Sequence, residues 1–153
     1  MLFSERTTPS RVLVVDDSSL VRMWLQAGLR RLGFAVVDTA ADGREALEKL
    51  HADRPDLVLT DYDMPGMSGA GLISSVREDS DLKDLPVVVV TGLASSACDW
   101  KALGFSQYLG KPFSLTRLET TIRNLLFGRP ARQSGGFSWR VSGHHARERA
   151  IAV

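Results

Sequence analysis

The chain has 153 residues, with 19 Lys+Arg against 18 Asp+Glu and a formal charge of +1. That length admits one domain with a short appendage and no second sizeable core, and near-neutrality gives no reason to expect wholesale binding to nucleic acid or acidic membrane. The single cysteine, Cys98, rules out an intrachain disulfide and a cysteine-based zinc site, and fits a reducing compartment.

In chain order, residues 1–10 form an N-terminal extension that lacks the apolar stretch of a secretory signal. VLVV at 12–15 predicts a first strand, and Ser18 to Leu32 places Val21, Trp24, Leu25, Gly28 and Leu32 on one helical stripe. AVVDTA at 35–40 predicts a second strand, followed by a short helical pattern around Ala46, Leu47 and Leu50. LVLT at 57–60 predicts a third, followed by helical spacing at Leu72, Ile73 and Val76. PVVVVT at 86–91 and SQYLG at 106–110 predict the fourth and fifth strands. Leu115, Leu118, Ile122 and Leu125 mark a last helix over 114–127. Valine-rich runs without polar alternation are strands covered on both faces. Strands alternating with helices at this spacing predict an α/β fold, a doubly wound five-stranded parallel sheet over residues 11–127. No apolar stretch approaches the roughly 20 residues of a membrane span, so a soluble, cytoplasmic chain is expected.

Residues 128–153 differ. They lack periodicity, open with Gly and Pro, and carry five arginines against Glu148, a net +4 that leaves −3 for the first 127 residues. A solvated, flexible basic tail is expected. It is too short for a folded effector, and its Phe137, Trp139 and arginines are suited to docking on an acidic protein surface. Weak, salt-sensitive contact with nucleic acid is the most such a tail supports, and no specific recognition is expected. His144 and His145 have no acidic or thiol neighbours for a metal, and Cys98 has no nearby base; all three are expected to be inert.

In a parallel α/β sheet, ligands bind at the carboxyl ends of the strands. Asp16 and Asp17 follow the first strand, Asp61 and Asp63 the third, Thr91 and Gly92 end the fourth, and Lys111 and Pro112 follow the fifth. Crowded carboxylates raise one another's pKa unless a cation intervenes. Mg²⁺ suits a small all-oxygen site with retained waters. A lysine opposite the metal prepares the site for a phosphoryl dianion, and an aspartate is a competent nucleophile for phosphoryl transfer. Taken one at a time, Asp16 and Asp17 would pass for helix-capping acids, Asp61 for a loop acid, Lys111 for a surface lysine and Thr91 for a strand end. The conjunction at successive strand ends argues otherwise.

The acid pair at 16–17, TDYDMPGMSG at 60–69, VVVVTG at 87–92 and GKPF at 110–113 resemble the receiver domain of two-component response regulators, in order and over roughly residues 10–127. The intervals of 44 residues from Asp17 to Asp61 and 30 from Asp61 to Thr91 are usual for that family. The resemblance implies the flavodoxin-like strand order 2-1-3-4-5 of a CheY-like domain. It implies Asp61 as acceptor of a phosphoryl group from a phosphohistidine on a sensor histidine kinase or phosphotransfer protein. Mg²⁺ would be held by the Asp17 and Asp61 carboxylates, by Asp16 largely through water and by the Asp63 backbone carbonyl. Lys111 would pair with the phosphoryl oxygens, Thr91 would donate its hydroxyl to one of them, and Tyr108 would swing inward as Thr91 moves. The Lys111–Pro112 bond would be cis. Output would pass through a face made of the fourth helix, fifth strand and fifth helix, to a protein target, to a second copy in a homodimer, or along a phosphorelay. The resemblance thus describes a stand-alone signalling domain that catalyses only its own phosphorylation and dephosphorylation.

Two departures stand out. The Thr91–Lys111 interval, 20 residues, is shorter than usual, which by the resemblance limits the fourth helix, here ASSACDWKALG, to about two turns, and Gly92 stands where a small side chain is commoner. The string LVLTDYDMP also resembles the nucleophile strand of haloacid-dehalogenase-type phosphatases. That alternative leaves the upstream Asp16–Asp17 pair unexplained, and its nucleophile normally opens a longer chain.

Overall fold

In a computed structural model of the chain, residues 11–92 and 104–128 are described. The strands are β1 (Arg11–Val15), β2 (Val36–Ala40), β3 (Leu57–Asp61), β4 (Val87–Thr91) and β5 (Gln107–Gly110). The described helices are α1 (Ser19–Arg31), α2 (Gly43–Ala52), α3 (Gly69–Glu78) and α4 (Leu115–Phe127). All pairings are parallel and the sheet order is β2-β1-β3-β4-β5, as the sequence implied. The expected short helix over 94–104 lies, but for Gly104, outside the described residues, as do Cys98, Trp100 and the tail from 129 onward with His144 and His145.

The sheet separates two cores by the two-residue period of its strands. Val12 and Val14, Leu57 and Leu59, Val88 and Val90, and Leu109 pack toward α1 and α4, against Leu25, Leu29, Leu118 and Ile122. Leu13 and Val15, Val58, and Val87 and Val89 face the other way, toward Ala46 and Leu50 of α2 and Leu72, Ile73 and Val76 of α3. Burial on both faces accounts for the unbroken valine runs.

β2 departs from the expectation of a strand covered throughout. It is an edge strand, with Val36 and Asp38 exposed on either side of the buried Val37. Two of its outward carbonyls are nonetheless covered: Gln26 Nε2 of α1 donates to Val37 O (3.0 Å) and Lys49 Nζ of α2 donates to Thr39 O (2.5 Å). Side chains that cap an edge in this way deny a template to another strand.

Each described helix opens just past a strand, on a side chain that accepts a backbone N–H of the first turn: Ser18 from Val21, Asp42 from Glu45, Ser68 from Gly71 and Ser114 from Arg117. Helix N-termini are thereby gathered at the carboxyl edge of the sheet. At the opposite edge Arg77 of α3 ties the chain's return into β5. Its guanidinium donates to Gly104 O (2.7 Å), Lys83 O (2.8 Å), Leu85 O (2.7 Å) and Ser106 Oγ (3.3 Å). Ser106 in turn exchanges hydrogen bonds with Val87, fixing where β5 meets β4.

Arg77→Ala strands three carbonyls, so it should lower unfolding free energy by about 2–3 kcal/mol in urea titrations. Arg77→Lys should recover only part, because an ammonium lacks the planar fork.

Candidate functional site

At the carboxyl edge, β1 and β3 end in acids and β5 ends in a base. The carboxylates of Asp16, Asp17 and Asp61 each bring an oxygen within 4.8 Å of the others. Lys111, 17% exposed at its side chain, places Nζ 3.2 Å from Asp16 Oδ2 and 3.7 Å from Asp61 Oδ2. It reaches them from beyond β4, and its own backbone N–H donates to Thr91 O (2.9 Å). The Lys111–Pro112 peptide is cis, in line with the expectation.

Asp16 is buried, and every polar atom it carries is engaged. Its N–H donates to Ala40 O (3.1 Å), Oδ1 accepts from the Ser18 N–H (2.8 Å), and its carbonyl accepts from Arg22 Nη1 (2.6 Å). With Oδ2 on Lys111, this carboxylate is committed to protein donors, which leaves it suited to holding a cation through water. Asp17 is exposed. The helix-capping role that competed for these acids falls to Ser18, whose hydroxyl accepts from Val21 N–H (3.3 Å).

Asp61 ends β3 with its side chain 11% exposed. Burial raises its pKa above the ordinary carboxylate value. Lys111 pulls it down, Asp16 pushes it up, and the backbone N–H groups of Tyr62 and Asp63 pull it down again, with burial prevailing. The Tyr62 N–H donates to Oδ1 at 2.8 Å, leaving Oδ2 on the Lys111 side. The residue's backbone is gripped as well. Thr60 Oγ1 donates to Asp61 O (2.9 Å), and Gly69 packs so close that a Cβ there would stand 2.3 Å from the same oxygen. Only glycine allows the first turn of α3 to lie against the end of β3.

Asp63 is exposed and stands apart from the three-carboxylate cluster. Thr91 is buried at the end of β4, in register with Gly110. Tyr108 is half-buried against the core shared with α2 and α3, and burial raises the pKa of its phenol. Its ring leans along β5 toward the site: the phenol oxygen lies 3.3 Å from where a Cβ of Gly110 would be. Trp24, expected to be a packing residue, meets Phe113 edge-to-face at 5.6 Å, two residues past Lys111.

The sequence reading gave no role to Arg22, Gly69 or Gly110. Gly69 and Gly110 lie inside the quoted motifs, so their glycines were a usable signal. Nothing local distinguishes Arg22 from other helix-surface arginines.

Three carboxylates and one ammonium leave a formal charge of −2 on these loops. An all-carboxylate donor set of this kind fits a hard divalent cation such as Mg²⁺. Among the described residues no helix is long and apolar enough to cross a membrane.

The raised Asp61 pKa has a thermodynamic consequence. A carboxyl that holds its proton more tightly folded than unfolded loses stability as pH rises through the window between the two values. In chelator, Asp61→Asn should therefore raise Tm at neutral pH. The gain should shrink as pH falls below the ordinary carboxylate value, toward ~3, where the wild-type carboxyl is protonated in both states.

Comparison with known proteins bears on what this geometry is. The family model described as response regulator receiver domain matches residues 12–123. The chemotaxis protein CheY of Pseudomonas aeruginosa is 38% identical over 117 residues, covering 75% of this chain and 94% of that protein. The probable transcriptional regulator ycf27 of Guillardia theta is 40% identical over 121 residues, and there the match covers 78% of this chain but only 46% of the relative. Among solved structures, the chemotaxis response regulator CheY4 of Vibrio cholerae aligns with a TM-score of 0.72 at 37% identity, covering 78% of this chain and 100% of that one. The response regulator TrrA of Thermotoga maritima, solved in complex with Mg(2+)-BeF, aligns with a TM-score of 0.69 at 32% identity, covering 76% and 99%. With the sheet order and the strand-end motifs already in place, this chain belongs to the response regulator receiver domain family, the signalling domains that accept a phosphoryl group in two-component systems.

Proposed function

We propose that the chain is a receiver whose Asp61 accepts a phosphoryl group from a phosphohistidine of a sensor kinase or phosphotransfer protein. The observation that carries this reading is the Lys111 ammonium set between the carboxylates of Asp16 and Asp61, with Asp17 beside them. An Asp61 carboxylate oxygen attacks phosphorus as the P–N bond to the donor imidazole breaks, and the electron pair of that bond leaves with the ring nitrogen. Nearly all the catalysis such a step needs is positioning and neutralisation of charge. Lys111 neutralises one phosphoryl oxygen. The Tyr62 N–H holds one Asp61 oxygen and so directs the other toward the incoming group.

Asp17 and Asp61, with the Asp63 backbone carbonyl and Asp16 through water, would hold Mg²⁺, which neutralises phosphoryl charge when bound. The donor chemistry supports this, as does the Mg(2+)-BeF complex of TrrA. The partner docks beside the acids, where Leu20 and Met23 of α1 are 76% and 65% exposed. The buried Thr91 hydroxyl donates to the new phosphoryl group, and Tyr108 follows it. Output passes through β5, α4 and the segment before β5, by altered contact with a protein target or by relay of the phosphoryl group.

Incubation with Mg²⁺ and phosphoramidate, followed by intact mass, tests the reading. The wild type should gain one phosphoryl group, Asp61→Asn none, and chelation of Mg²⁺ should abolish the gain. Equal labelling of wild type and Asp61→Asn would sink it.

A further inference from the structure

The site has a further participant on α1. Arg22, at the end of that helix's first turn, reaches back over the β1–α1 loop and donates Nη1 to Asp16 O at 2.6 Å. That oxygen belongs to the planar peptide unit joining Asp16 to Asp17. Its direction therefore fixes the rotation of the unit, and with it the backbone from which the Asp17 side chain departs. The two acids differ in their need for this. Asp16 has bonds on both carboxylate oxygens, to Ser18 and Lys111. Asp17 is exposed, and among the described residues no hydrogen bond holds its carboxylate. Its place in the cluster is set through the backbone alone.

We infer that Arg22 is a positioning residue for the divalent cation: by holding the Asp16–Asp17 peptide, it aims the Asp17 carboxylate into the cluster. The inference rests on reading Asp16, Asp17 and Asp61 as the cation site. A guanidinium near a cation site is also a repulsive charge, and the two effects have opposite signs. If Arg22 acted only as a charge, neutralising it would tighten cation binding. If it acts by holding the peptide, neutralising it loosens binding, because the unbonded Asp17 then samples directions away from the cluster.

Isothermal titration of the full chain with Mg²⁺ alone separates these. Arg22→Met should bind Mg²⁺ at least about tenfold more weakly than the wild type, the scale of losing an outer partner of a metal ligand. Arg22→Lys should recover part of the loss, and Arg30→Met, on the exposed end of the same helix, should match the wild type. Should Arg22→Met fail to give a native thermal transition, Arg22→Gln, equally neutral and too short to span the same distance, carries the same comparison. A folded neutral variant that binds Mg²⁺ as tightly as the wild type, or more tightly, overturns the inference. Asp17→Asn distinguishes the two levels: if it binds like the wild type, the cation-site reading fails too. If Asp17→Asn loses affinity while the neutral Arg22 variant keeps it, the Arg22 inference alone fails.

Discussion

The Lys111 ammonium, held between two carboxylates that belong to different strands, is the contact on which the rest of the site depends. It joins the ends of β1, β3 and β5 across the end of β4, at a place with little water to screen charge. Carboxylates brought this close repel, and burying them adds a desolvation cost. One lysine offsets part of both and leaves a formal −2. The loops are thus held by the protein while an excess of negative charge remains for an external cation. A second lysine in place of Asp17 would cancel that excess.

Holding that arrangement requires backbone that does not yield, and the sheet supplies it. β1, β3 and β4 are buried on both faces, so their registers are pinned by two separate cores. The strand ends therefore project Asp16, Asp61 and Thr91 from fixed points. β5 is an edge strand, less well buried, and it is the strand that carries Lys111. Its entry is tied by Arg77 and Ser106, and its exit by the Lys111 N–H on Thr91 O. The lysine's position is thus anchored by hydrogen bonds where the cores' grip is weakest.

The five strands were legible because double burial writes itself as valine runs, and the meeting of Asp16, Asp17, Asp61 and Lys111 was legible because the ends of parallel strands lie along one edge of the sheet. What escaped is what depends on three-dimensional approach. Arg22 looks like any polar residue of an amphipathic helix until α1 is docked and its side chain turns back over the loop. Gly69 resembles a flexible turn residue, yet its role is the absence of a Cβ against Asp61 O. β2 was expected to be covered like its neighbours. Its Asp38 and Thr39 already break the apolar run, but their meaning depends on knowing that the strand lies at an edge, closed by Gln26 and Lys49.

Tyr108 and Gly110 show how the residue at one position conditions another. Both lie on the same face of β5, two residues apart, so a side chain at 110 would compete with the tyrosine ring for the strip of sheet beside Thr91. Glycine vacates that strip, and the phenol oxygen comes to within 3.3 Å of the empty Cβ position, level with Thr91 in the strand register. A ring seated there packs against the core shared with α2 and α3. A methyl group at 110 would press on the ring at that distance, so the room for the tyrosine on the strand side is set by this glycine.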